Sequence, residues 1–182
     1  MAIYSDKWRA LKTTVMVGTT QPEGLAPAAA AVRATLRALE STDRAALADV
    51  AVAAAMRAAQ NGGVLVSLGP DIATAGEPPP GGWQVFVGSS EDDPLDGGDL
   101  GRIAIRGGAL ATSTVSDASQ WRSVTVAARS CVDAETAAAA AIQKDDCAIG
   151  WLGRRRLAAR LVETDGTVHY IGRWPDPTED AA

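Results

Sequence analysis

The sequence predicts an α+β fold, a largely antiparallel sheet flanked by helices. Three observations predict it. The chain has 182 residues, the size of one domain. It is 47% hydrophobic and 21% charged, which supports a buried core and excludes a disordered acidic chain, a collagen-like chain or a disulfide-stapled miniprotein. Strand and helix patterns alternate irregularly and are joined by hairpin signals instead of regular βαβ units. A single domain over residues 1–182 follows: a strand with two helices (1–62), a mostly β part with one alanine-rich helix (63–175) and a flexible tail (176–182).

Trp8 to Thr19 is rich in Thr and Val and runs into a Gln21-Pro22 turn, which predicts a strand. From Glu23 to Glu40 the apolar residues Leu25, Val32, Leu36 and Leu39 recur at helical spacing, with Arg33 and Arg37 on another face. Ser41-Thr42-Asp43 is an N-cap signal for a second helix, Arg44 to Gln60, closed by Asn61-Gly62-Gly63. Val64 to Gly69 is a continuous apolar run, as for a strand buried on both faces. Pro78 to Gly82 forms a rigid linker into a strand at Trp83 to Val87. Glu91 to Gly101 is acidic and glycine-rich and reads as a surface loop; its carboxylates lack the alternate spacing of a calcium loop. Strands follow at Arg102 to Ile105, Ala109 to Thr114 and Trp121 to Ala128, then an alanine-rich helix at Val132 to Gln143. A short helical piece at Ile149 to Leu152 leads to a hairpin, Ala158 to Glu163 and Thr167 to Gly172, turned at Asp165-Gly166. No internal repeat is evident in the sequence.

A net charge of −5 argues against sequence-independent binding to nucleic acid or anionic lipid. Arg154-Arg155-Arg156 is the one cationic run and reads as the solvated last turn of a helix. Without a signal-like or membrane-spanning segment, the expectation is a cytoplasmic protein. Cys131 and Cys147 read as buried small hydrophobes. His169, the single histidine, lies in a strand with no placed nucleophile or carboxylate, so it reads as a sheet residue. Thr112-Ser113-Thr114 with Ser116 reads either as a strand edge entering a turn or as a phosphate or nucleophile site.

Two ordered strings carry a resemblance. Leu65 to Gly76 followed by Gly82 to Val85, and then Gly108 to Ser113, Trp121 to Ala128 and Cys131 to Ala134, resemble the ApbE-type FAD:protein FMN transferases. Trp8 to Val15 is similar to that family's opening strand, and Leu39 to Asp49 (LESTDRAALAD) to its L-G-A-T-A-K helix start. The resemblance implies an ApbE-like, T-fold-like core with the central segment deleted. It also implies FAD and Mg²⁺ as cofactors and a flavoprotein whose Thr or Ser accepts FMN.

The departures fall on the chemical parts. The family's histidine-containing motif has no counterpart between Thr114 and Gln120. Gly-Gly-Asp is replaced by Gly69-Pro70-Asp71, which removes a backbone donor. Arg44 stands for the lysine, and a carboxylate, Glu40, for a glycine. Asp133 corresponds to the metal-site aspartate, but the threonine expected one turn later is Ala137, so Asp133 is either a metal ligand or a helix cap. Under the transferase alternative, Arg44, Asp49 and Asp71 would seat FAD and Asp133 would hold Mg²⁺.

The expectation is therefore a shortened ApbE-like scaffold that has lost flavin transfer, needs no cofactor and binds an apolar small-molecule substrate. One concrete form is a cofactor-independent cyclase or isomerase of polyketide-type metabolism. Trp83, Trp121 and Trp151, with Thr112, are candidates for the pocket walls; the tryptophans read equally as core fillers. The chain has 37 alanines, concentrated in the helices that would border a vacated flavin site, which predicts an open apolar cavity there. A non-catalytic module that pairs through strand edges, or a homodimer, is the remaining alternative.

Overall fold

The computed structural model describes residues 2–39, 43–87, 101–114 and 119–174. In it the first predicted strand is a hairpin, β1 (Tyr4–Ala10) and β2 (Thr13–Thr19). The turn is made by Leu11 and Lys12, at φ +53 and +59. Both central residues are left-handed, as in a tight hairpin turn, but Leu-Lys lacks the Asn-Gly signature by which such turns are read. The helices α1 (Pro22–Ala38) and α2 (Arg44–Ala59) follow, α2 capped by Asp43, whose side chain accepts from the Ala46 N–H. Gly24 lets them approach: a Cβ there would lie 3.2 Å from that of Ala59.

A second hairpin, β3 (Gly63–Leu68) and β4 (Asp71–Gly76), turns at Gly69, φ +65. Strand β4 was not predicted, because its small residues Ala73 and Ala75 carry little strand preference. A separate two-stranded sheet, β5 (Trp83–Val87) and β6 (Gly101–Ile105), comes next; the acidic loop between them lies outside the described residues. Then come β7 (Ala109–Thr114), β8 (Trp121–Ala128), α3 (Cys131–Lys144), a short 3-10 turn, α4 (Ala148–Arg154), β9 (Ala158–Glu163) and β10 (Val168–Ile171). Arg154 to Arg156 form the exposed end of α4, as predicted. The predicted tail, 176–182, lies outside the described residues.

The main sheet is antiparallel throughout, in the order β1-β2-β3-β4-β7-β8-β9-β10. Alternation along the strands gives it two buried faces. Val15, Val17, Val64, Val66 and Leu68 pack under α1 and α2, while Val124, Val126, Ala159 and Leu161 pack under α3 and α4. The opposite face, with Leu65, Ile72 and Leu110, is covered by Trp83, Val85, Ile103 and Ile105 of the β5–β6 hairpin.

The order of elements reveals a repeat. Hairpin, two helices and hairpin occur twice, as β1β2α1α2β3β4 and β7β8α3α4β9β10, with β5–β6 inserted between. Sheet register aligns the copies. Tyr4 pairs with Thr19, three residues before α1, and Ala109 pairs with Ala128, three residues before α3. Val66, opposite Val17, matches Ala159, opposite Val126. Ala73, opposite Val66, therefore matches Ile171, opposite Ala159, and Asp71 matches His169.

The alanines are consumed by this packing. Ala45, Ala48, Ala51 and Ala55 of α2 and Ala138 and Ala141 of α3 have no exposed surface and belong to the two helix-side cores. Small side chains at these positions let the helices sit close to the sheet.

Candidate functional site

The two halves meet along β4 and β7 through two residue pairs, Ile72 with Leu110 and Ala73 with Ala109. Around this short joint the fold gathers residues from three segments. Arg44 begins α2, and its Nε lies 3.4 Å from Oδ2 of Asp71, the first residue of β4. Asp49, just over one helical turn further along α2, accepts from two backbone N–H groups at the start of α3, Cys131 (2.8 Å) and Val132 (3.1 Å). Ser130 caps α3, its hydroxyl accepting from the Asp133 N–H at 3.1 Å. The Cys131 thiol donates to the Ile72 carbonyl at 3.2 Å, beside the Leu110 carbonyl at 3.7 Å.

Electrostatics follow from this burial. Asp71 is 3% exposed, and desolvation pushes its carboxyl up to about 6; the Arg44 charge opposes that rise, while Glu135 and Asp43 add to it. Burial likewise raises the Cys131 thiol, helped by the charges of Asp49, Asp71 and Glu135, so it stays protonated and is no nucleophile.

A pH dependence follows. Asp71 titrates near 3.8 unfolded and about 6 folded, so the folded state binds the proton more tightly. This group's stabilisation is complete below pH 4 and is lost as pH rises through 6, about 3 kcal/mol in all. Urea unfolding between pH 4 and 8 should show Asp71→Asn gaining on the wild type by that order as pH rises. A difference that is flat with pH would contradict the raised value.

The structure pairs Arg44 with Asp71 and sets Asp49 on the start of α3, with Asp133 in the first turn of that helix. Asp133 does not cap the helix: Ser130 does, and the Ser130-x-x-Asp133 spacing is the signal that could have shown it. Of the four pocket candidates only Trp121 and Trp151 share a cluster. Trp83 is buried between the sheet and the β5–β6 hairpin. Trp121 is buried on the other face against α3 and α4, its indole N–H donating to the Asp145 carbonyl. Trp151 is half-buried beside Trp121's cluster, with the Arg155 guanidinium 4.6 Å from its ring centre. Thr112 shares a 2.8 Å hydroxyl hydrogen bond with Thr125, a cross-strand pair within the sheet.

Elsewhere, Cys147 is exposed, contrary to the expectation, because it lies in the 3-10 turn and not on a core face. His169 is 2.6 Å from Glu163 Oε1 and edge-on to Trp121, a partnered sheet residue as predicted.

The cofactors that the resemblance implied can be tested against these residues. A protein-held Mg²⁺ does not fit. Asp133 is exposed, the residue one turn on is the buried, donor-free Ala137, and among the described residues no group of three acidic, histidine or cysteine side chains is placed to hold a metal. A diphosphate cradle on the β3–β4 turn does not fit either. The Gly69 N–H already donates to the Thr14 carbonyl, and Pro70 has none to give.

This architecture is the fold of the ApbE flavin transferases. Among solved structures the chain is similar to the apo form of the Pseudomonas stutzeri flavinyl transferase ApbE, at 12% identity and a TM-score of 0.70, with 93% of this chain and 94% of that one covered. It is similar also to the Thermotoga maritima ApbE protein (12%, TM-score 0.73, 93% and 97% covered). A Vibrio cholerae flavin transferase ApbE mutant gives 12%, a TM-score of 0.59, and 93% and 97% coverage. No family model matches the sequence, and no curated protein matches it. No described helix is long and apolar enough to cross a membrane.

Proposed function

We propose that this chain is an ApbE-fold module that binds without transferring flavin, its polar residues engaged within the fold: Asp49 ties the first half to the second, and the Arg44–Asp71 pair lies inside the first half. The observation that carries this reading is the engagement of those residues. Asp49 is bonded to two backbone N–H groups of α3, and Asp71 is buried against Arg44. A carboxylate bonded in this way is not displaced onto a metal without leaving helix donors unsatisfied.

The reading is favoured over an apolar cyclase or isomerase because the proposed walls lie on different faces of the sheet and the alanines pack inward. Retained FMN transfer is the second reading, and one observation favours it: Arg44 and Asp71, matched from two separate motifs, lie side by side. Incubation with FAD, Mg²⁺ and a flavoprotein acceptor, followed by fluorescence of the denatured acceptor, separates the two. No covalent flavin is expected; covalently bound FMN on the acceptor would establish the transferase instead.

A further inference from the structure

The internal repeat has an unused half. Within the chain, the fourth strand of the first unit, β4, pairs antiparallel with the first strand of the second, β7. The same two kinds of edge remain open at the ends of the sheet: β10 is the fourth strand of the second unit, and β1 the first strand of the first. Among the described residues nothing pairs with the outer side of either. We propose that a second copy of this chain adds head to tail, β10 of one copy pairing with β1 of the next in the register of the β4–β7 joint.

The register can be written out. Ala73 opposite Ala109 becomes Ile171 opposite Tyr4, and Ile72 opposite Leu110 becomes Tyr170 opposite Ser5. The Thr74 N–H that donates to the Gly108 carbonyl becomes that of Gly172 donating to Ile3. One step further, His169 comes opposite Asp6.

Side chains at these positions suit the joint. Faces are preserved: Ala73 and Ala109 lie on the helix side, as do Ile171, packed on the α3–α4 core, and Tyr4, in step with Asp6 and Trp8 under Arg33 of α1. Ile3, Tyr4 and Tyr170 are among the few large apolar residues left exposed, at 45%, 36% and 51%, and all three fall on the two edges where the joint forms. Opposed side chains of this kind stabilise strand pairs. His169 facing Asp6 adds a polar pair, with Glu163 on the histidine's own hairpin and Arg33 beside the aspartate. The contact is heterologous, so copies close into rings, of which two copies joined by two such contacts make the smallest, or extend as filaments.

The alternation of an antiparallel ladder supplies the test. Thr74 and Gly108 form a hydrogen-bonded pair, so Ile72 and Leu110, two residues on, do too, and their amides face the joint. Ser5 and Tyr170 hold those places on the open edges. Proline there removes an edge donor without touching the β1–β2 or β9–β10 ladders. Light scattering over a wide concentration range should show the wild type rising above monomer mass. Ser5→Pro and Tyr170→Pro should each stay monomeric with unchanged circular dichroism, and an equimolar mixture should give a dimer and nothing larger, one free edge meeting the other. A wild type that remains monomeric, a single variant that still associates, or a mixture that stays monomeric overturns the proposal.

If either proline disturbs folding, Tyr4→Cys and Ile171→Cys chains, both carrying Cys147→Ser, replace them. Oxidation should cross-link the mixed pair selectively; equal cross-linking of each variant with itself would refute the head-to-tail register.

Discussion

Replacing Trp83 with alanine is expected to cost ~3–5 kcal/mol of folding stability, the largest effect of any single substitution considered. The ring lies over the sheet where glycine makes room for it: Cβ atoms built at Gly18 and Gly63 would each sit 3.3 Å from the indole. It is 3% exposed and central to the cluster that joins the β5–β6 hairpin to the main sheet. For a domain of this size the loss corresponds to a fall in melting temperature of roughly 10 °C. Trp83→Phe keeps most of the volume and should recover most of the stability. Thermal melting of the two variants decides between core and pocket wall. A Trp83→Ala protein as stable as the wild type would mean that the ring lines a space instead of filling one.

Asp49→Ala is expected to cost about 2–3 kcal/mol, since it removes two charge-assisted bonds to the N-terminal N–H groups of α3. The damage should be local to the junction, because β4 and β7 share only two residue pairs and Asp49 ties α2 across that seam. Hydrogen exchange should therefore speed up at Cys131, Val132 and Ile72 before it does in β2 or β8. Asp49→Asn keeps one acceptor oxygen and should restore part of the loss. Unchanged exchange at α3 in Asp49→Ala would show that the carboxylate serves a ligand and not the joint, and would revive the transferase reading.

Much of the fold was legible in the sequence. The helices at Pro22–Ala38, Arg44–Ala59 and Cys131–Lys144, and the closing hairpin at Asp165-Gly166, were found close to their observed bounds. Their signals are local: helical spacing, caps and a turn dipeptide act within a few residues. The Leu11-Lys12 turn and strand β4 were missed, because one uses residues that do not advertise a left-handed turn and the other is built of small residues with weak preference. Around the β4–β7 joint, the motif match named Arg44, Asp49 and Asp71, whereas Ser130 and Glu135 were overlooked although Ser130 sits in a capping pattern.

The sequence by itself determined the three long helices, the closing hairpin and the ApbE-like α+β fold. Only the tertiary structure decided which face each tryptophan occupies, which alanines are buried between helix and sheet, and that the chain is one ββααββ unit used twice. The physical reason is common to all three. Alanine and tryptophan are buried equally well against many partners, so their pattern along the chain does not say which surface they meet. Repetition, here, lies in strand register, which is set by backbone pairing between residues far apart in the chain and leaves no matching string of letters behind.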